Sequence, residues 1–170
     1  LNTSGQLGDG LTANRSFPVQ VLTNVASVAV GHAQTMAVRT DGTLWAWGLN
    51  TNGQLGDGTL IQRNSPVQVL TDVASVTTVM HQDLTSLRTF AIRTDGTLWA
   101  WGNNAQGELG DGTTTQRTSP VQMMTGVSSV AAGFNHTAAI RTDGTLWTWG
   151  FNASGQLGDG TIIRRLSPVQ

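Results

Sequence analysis

Four aspartates each stand six residues before an arginine: Asp9 and Arg15, Asp57 and Arg63, Asp111 and Arg117, Asp159 and Arg165. Each aspartate sits in a glycine-rich run, Asn-x-x-Gly-Gln/Glu-Leu-Gly-Asp-Gly, which has the outline of a calcium loop. A calcium site gathers several oxygens at alternate positions of one loop. This run offers one carboxylate, so the acid and the base are better used on each other, pinning the loop to the strand that follows. Such a pair stabilises modestly if exposed. Asp41, Asp95 and Asp143 precede glycines in turns, and none has a nearby histidine or second acid in its own unit to make it a general base. His32, His81 and His136 hold unequal places, with no His-x-His or His-x-x-x-His spacing, so no metal is expected. No Gly-x-Ser-x-Gly elbow and no cysteine is present. The chain reads as non-enzymatic and without a cofactor.

The elements that carry these residues repeat. Arg39-Thr40-Asp41-Gly42-Thr43-Leu44-Trp45-Ala46-Trp47-Gly48 returns unchanged at Arg93 to Gly102, and again at Arg141 to Gly150 with Thr148 for alanine. The glycine run begins its Gly-Gln/Glu-Leu-Gly segment at Gly5, Gly53, Gly107 and Gly155, spacings of 48, 54 and 48 residues. A period of this size means an array of equal supersecondary units. In one unit, Val25 to Val30 is β-branched and ends at a glycine. Thr35 to Arg39 alternates and meets Asp41-Gly42, read as a type I′ hairpin turn. Thr43 to Trp47 returns, with Trp45 and Trp47 on one face and Leu44 and Ala46 on the other. Ser65 to Val69 contains Pro66, which lacks a donor and belongs on an edge. Four antiparallel strands with the fourth at the edge make a propeller blade. Apolar spacing at three and four, the mark of a helical repeat, is absent.

Bulk composition narrows the function classes. Of 170 residues, 11% are charged, the net charge is -1, and all 9 cations are arginine. They are spread beside aspartates rather than gathered in a basic patch, which argues against nucleic acid as a partner. No apolar run approaches a membrane span, so no membrane is expected. Leu1-Asn2 opens inside a repeat, and the chain reads as a piece of something longer or a mature product.

Val-Ala-Ser-Val, Gly133-Phe134-Asn135-His136-Thr137, Leu-Trp-Ala-Trp-Gly, Asn-x-x-Gly-Gln-Leu-Gly and Ser-Pro-Val together resemble the regulator of chromosome condensation repeat family. The resemblance implies an all-β seven-bladed β-propeller, with the first strand of each blade lining the channel and the fourth outermost. On that plan residues 1–20 are a loop and one extra outer strand. Blades follow at 21–68, 69–122 and 123–170, about half of a ring. Three open blades expose apolar faces, so the chain is expected either to associate with copies of itself, as a homodimer or higher assembly closing the propeller, or to have been severed from its remaining blades. The family includes a plant photoreceptor with clustered tryptophans in a Gly-Trp-Arg-His-Thr setting. Here glycine is followed by His32 or Phe134 instead, and Trp45, Trp47, Trp99, Trp101, Trp147 and Trp149 read as packing. His136 occupies the family's bracing position, with Gln34 and Arg88 in its place in the other blades.

The copies differ most between the first and second strands. Blade 3 uses Gly133 to His136, and blade 2 uses Val79 to Arg88, six residues longer. In the family these connections lie on one rim and contact protein partners. Insertions in repeat proteins map to such faces. Met80, Leu84, Leu87 and Phe134 are the expected apolar centre of a partner-binding rim, with His32, His81, Asp83, Arg88 and Asn135 as its polar fringe. A tolerated loop insertion is the plain alternative. The expected function is a protein-interaction scaffold with an unnamed partner. Three alternatives stand beside it. They are guanine nucleotide exchange on a small GTPase, as in the family's namesake, inhibition of a secreted enzyme such as a β-lactamase, and a self-assembling array. The namesake's basic tail is missing here, and only Phe134 supplies the rim aromatics of the inhibitory relatives. The compartment is not encoded.

Overall fold

The computed structural model describes residues 1–79 and 86–170. Twelve strands lie among the described residues, and there is no helix among them. The first four are β1 (Val25–Val30), β2 (Gln34–Arg39), β3 (Leu44–Gly48) and β4 (Arg63–Leu70). The second set is β5 (Val73–Thr78), β6 (Arg88–Arg93), β7 (Leu98–Gly102) and β8 (Arg117–Met124). The third is β9 (Val127–Ala132), β10 (His136–Arg141), β11 (Leu146–Gly150) and β12 (Arg165–Val169). Each set is one antiparallel sheet in sequence order, and the three sheets do not close on one another. β4 and β8 end at Leu70 and Met124, past the unit ends expected at 68 and 122. Pro66 lies in β4, at a sheet edge where its missing donor costs nothing.

Two expectations change. The Asp-Gly turn is not type I′. Gly42 has a φ of 79°, while Asp41 is absent from the positive-φ residues. The amide of Gly42 donates to Arg39 O at 2.9 Å and that of Arg39 to Thr43 O at 2.9 Å. This is a type I turn closed by a left-handed glycine, the three-residue hairpin. Asp41 explains the choice: its carboxylate accepts from the amide of Thr43 at 2.9 Å and from its hydroxyl at 2.7 Å. A side chain used in this way holds its own backbone in a right-handed turn.

The second change concerns residues 1–20, expected as a loop and one extra outer strand and found with no strand. Every outer strand here pairs with the third strand before it, β4 with β3 and β8 with β7. No strand lies among residues 1–14, so Pro18 and Val19 pair with none of them.

The core lies between sheets rather than within one. Met36, Val38, Leu44 and Ala46 of the first sheet meet Val73, Ala91 and Trp101 of the second. Phe90, Ile92, Leu98 and Ala100 on the second sheet's other face meet Val127, Ala139 and Trp149 of the third. Strand alternation supplies both faces: Trp99 and Trp101 point toward one neighbour, Leu98 and Ala100 toward the other. Full burial of each large side chain contributes about 1.5–3 kcal/mol, so most of the stability resides in the two junctions.

Candidate partner-binding rim

Each glycine loop clamps the next blade. In the first, the backbone carbonyl of Gln54 accepts from Thr89 Oγ1 at 2.8 Å and Trp101 Nε1 at 2.9 Å. In the second, the carbonyl of Glu108 accepts from Thr137 Oγ1 at 2.8 Å and Trp149 Nε1 at 2.7 Å. The arm ahead of blade 1 does the same, with Gln6 O accepting from Thr35 and Trp47, both at 2.9 Å. The loop can lie this close because of its glycines. Gly56 has a φ of +81°, and a Cβ there would meet Trp101 Nε1 at 2.6 Å. Asn50 holds the loop in shape: its side chain accepts from the amide of Leu55 and donates to Thr59 O and Ile61 O.

The Asp–Arg pairs fasten the same loops. Asp57 meets Arg63 at 2.6 Å, Asp111 meets Arg117 at 2.6 Å, and Asp9–Arg15 and Asp159–Arg165 close at 2.7 Å. Arg63, Arg117 and Arg165 are the first residues of β4, β8 and β12. Hydrogen bonds from Arg165 and then Thr161 hold Asp159 down at about 2, below the ordinary 3.8. Asp9 is lowered chiefly by Arg15. For Asp57 and Asp111, burial pushes upward, and the hydrogen bonds from Thr59 with Arg63 and from Thr113 with Arg117 outweigh it. A depressed carboxylate stabilises the fold above its unfolded value and loses that contribution as pH falls through its folded value. Thermal melts are therefore expected to show stability falling between about pH 4 and pH 2, with Asp159→Asn flattening part of that slope.

The first-to-second strand connections and the starts of the glycine loops share one rim. The amides of Leu49, Asn103 and Phe151 donate to Ala33 O, Leu87 O and Asn135 O at 2.8, 2.9 and 2.8 Å. His32 is exposed there, and Asn135 is half-buried. Phe134 is 40% exposed. Beside it lies a hollow of about 240 Å³ lined by Ser86, Asn103, Gln106, Glu108, Phe134 and Asn135. Met80, His81, Asp83 and Leu84 lie outside the described residues.

Leu87 and Arg88 do not belong to an exposed fringe. Both are fully buried. The Nη2 of Arg88 crosses to blade 3 and donates to Gly133 O at 2.6 Å, and Nη1 donates to Ser86 O at 3.0 Å. Its counter-ion is Glu108, 3.8 Å away and 1% exposed. Burial pulls Arg88 down to about 10, with Glu108 opposing, so it stays cationic at neutral pH. Arg88 thus holds the backbone of the residue before Phe134. His136 packs over its own Gly133, where a Cβ would meet ring atom Cε1 at 2.5 Å. Burial and then the Arg88 charge lower its pKa.

Glu108 was missed by sequence reasoning, although a signal for it exists. It is the chain's one glutamate, where the other loops carry Gln6, Gln54 and Gln156, and it occurs in the unit whose bracing residue is Arg88. The tryptophans divide into two sets. Trp47, Trp101 and Trp149 are buried, whereas Trp45, Trp99 and Trp147 are half-buried beneath Arg39, Arg93 and Arg141 at 5.3, 4.5 and 5.8 Å. Among the described residues no three His, Cys, Asp or Glu side chains gather as a metal site.

Comparison with known proteins agrees with this architecture. The model described as "Regulator of chromosome condensation (RCC1) repeat" matches residues 1–38, 41–80, 95–140 and 143–170. The E3 ubiquitin-protein ligase HERC2 of Homo sapiens is 33% identical over 141 residues, 78% of this chain and 3% of that protein. The crystal structure of human WBSCR16 superposes with a TM-score of 0.78 at 23% identity, over 99% of this chain and 45% of that one. Yeast RCC1 (Prp20), solved bound to Kap60, gives 0.75 at 24%, over 99% and 42%. Prp20p from Saccharomyces cerevisiae, in a structure titled for its binding to Gsp1p and histones, gives 0.70 at 24%, over 86% and 38%. The chain thus spans less than half of each of these proteins, and the likeness to the solved structures is one of fold. The four repeat matches and the three blades lead to one conclusion: this chain belongs to the RCC1 repeat family, as a set of β-propeller blades.

Proposed function

We propose that the chain is a non-enzymatic protein-interaction module whose partner docks on the rim between blades 2 and 3. One observation carries this reading: Phe134, exposed on a connection whose backbone is held by the buried Arg88. An aromatic anchor on a fixed backbone loses little entropy on binding, and such residues dominate interface energies. The adjoining hollow of about 240 Å³ is smaller than a typical small-molecule site. It suits one inserted side chain, with Asn103, Gln106 and Asn135 as hydrogen-bonding surroundings. His32 on the neighbouring blade and Met80, His81, Asp83 and Leu84 extend the proposed surface. Proteins are the bound partners named for Prp20p, which supports the class of partner and not its identity.

Panning a peptide display library against the whole chain tests this. A selected consensus that Phe134→Ala weakens at least about tenfold, an anchor's share of about 1.4 kcal/mol, is the expected outcome. No enrichment, or binders indifferent to Phe134→Ala, would sink the rim reading. The chain is expected to leave nucleotide release from a small GTPase unaccelerated, since no feature among the described residues favours exchange over simple binding.

A further inference from the structure

One side chain reverses its hydrogen-bonding sense between the glycine loops. Gln6, Gln54 and Gln156 each turn back so that Oε1 accepts from the amide two residues earlier, at 2.9, 2.8 and 2.9 Å. The backbone donor fixes which end of the carboxamide is oxygen. The group left over is the NH2, a donor. Glu108 turns back in the same way, with Oε2 accepting from the amide of Gln106 at 2.7 Å. The group left over there is a bare carboxylate oxygen, which can only accept.

That oxygen is unused. Oε1 of Glu108 makes no hydrogen bond and is buried from solvent. Arg88 balances its charge, but Nη1 stops 3.8 Å from Oε1, beyond hydrogen-bond length. Both Nη atoms of Arg88 are spent on Ser86 O and Gly133 O. Buried polar atoms are normally paired, so an acceptor in this state is short of a donor. The hollow beside Phe134 touches Glu108, whose side of the wall it shares with Ser86, Asn103 and Asn135.

We propose that this hollow selects a partner by one neutral hydrogen-bond donor, a hydroxyl, carboxamide or indole N–H that enters it and donates to Glu108 Oε1. The inference rests on partner docking at this rim and adds the chemistry of the group that enters. Arg88 is the reason that the donor is neutral. A lysine or arginine in the hollow would be attracted by Glu108, repelled by Arg88, and stripped of its own hydration. A neutral donor gives up less water and meets an acceptor strengthened by its charge. An apolar group of the same shape would fill the space and leave Oε1 unpaired, and that penalty is the source of the discrimination.

Glu108 is the chain's one glutamate, so isotopically labelled glutamate gives the full chain a single side-chain carboxylate resonance. It reports this group directly and needs no substitution in the protein. The probes are the Phe134-dependent peptides from panning, each beside an analogue that lacks the donor at constant shape, such as alanine for serine or phenylalanine for tyrosine. The analogue is expected to bind about tenfold more weakly or worse. The Glu108 resonance is expected to move with the parent peptide and to move less with the analogue. The proposal is overturned if Phe134-dependent peptides share no neutral donor, if they carry lysine or arginine in its place, or if the parent peptide leaves the resonance unmoved. In those cases the rim reading survives, because binding still depends on Phe134. Failure to select any Phe134-dependent peptide sinks both.

Discussion

Glu108→Gln is expected to lower the unfolding free energy by about 3–5 kcal/mol, because it strands a buried cation. Arg88 is fully buried, and among the described residues Glu108, 3.8 Å away, is the carboxylate paired with it. After the substitution two carbonyls remain, Ser86 O and Gly133 O. They satisfy hydrogen bonds without neutralising the charge. Arg88→Gln should be damaging for the mirror reason, leaving a buried carboxylate. The double variant is the informative one. Blade 1 carries Gln34 and Gln54 at the same two places, so Arg88→Gln with Glu108→Gln should restore most of the loss. Replacing a whole buried pair is often neutral, whereas halving it is costly. Urea unfolding of the four proteins closes the cycle. A double variant as unstable as either single one would refute compensation. The pair also positions the Phe134 connection, so the singles should weaken partner selection beyond their effect on stability.

Trp101→Ala comes second, with an expected cost of about 3–5 kcal/mol, the usual range for emptying a large aromatic site. Its side chain is fully buried in the junction of blades 1 and 2, and its indole donates to Gln54 O. The left-handed Gly56 lies against the ring and cannot follow it into the void without breaking the loop. Trp101→Phe should cost less, about 1–2 kcal/mol, because Thr89 still donates to the same carbonyl. Trp99→Ala, two residues away, is the control. It is half-buried under Arg93 at 4.5 Å and donates to Thr97 rather than across the junction. Its expected loss is about 1 kcal/mol. Thermal melts decide the order. Both rings face the first junction, so equal losses at 99 and 101 would show that depth of burial within it does not set the cost. Hydrogen exchange adds a second reading, since repeat units share stability through their interfaces. Trp101→Ala should loosen blade 1 against blade 2 and leave the second junction protected.

The strands were legible because each has a local cause. Valine-rich runs, alternation and the Asp-Gly turns need no distant partner to be recognised, and the period assembled them into blades. The turn type was misread because Asp41 uses its carboxylate on Thr43, a choice that dipeptide frequency does not encode. The outer strand within residues 1–20 was misread because strand formation there needs a neighbour, and likeness to β4 does not provide one. Leu87 and Arg88 looked like the end of a surface insertion. Arg88 is instead the first residue of β6, with Leu87 buried just before it, and Arg88 had to be judged together with a residue twenty positions away.

The amino-acid sequence by itself determined the unit, its four strands and their order. These follow from period, propensity and residue type, all of which act over a few neighbours. Tertiary structure decided what happens between units: that Gln6 O, Gln54 O and Glu108 O each take two donors from the blade that follows, and that Arg88 and Glu108 neutralise each other out of water. Those outcomes depend on which faces meet across a distance of some fifty residues. Burial and charge pairing are settled only when the faces are brought together.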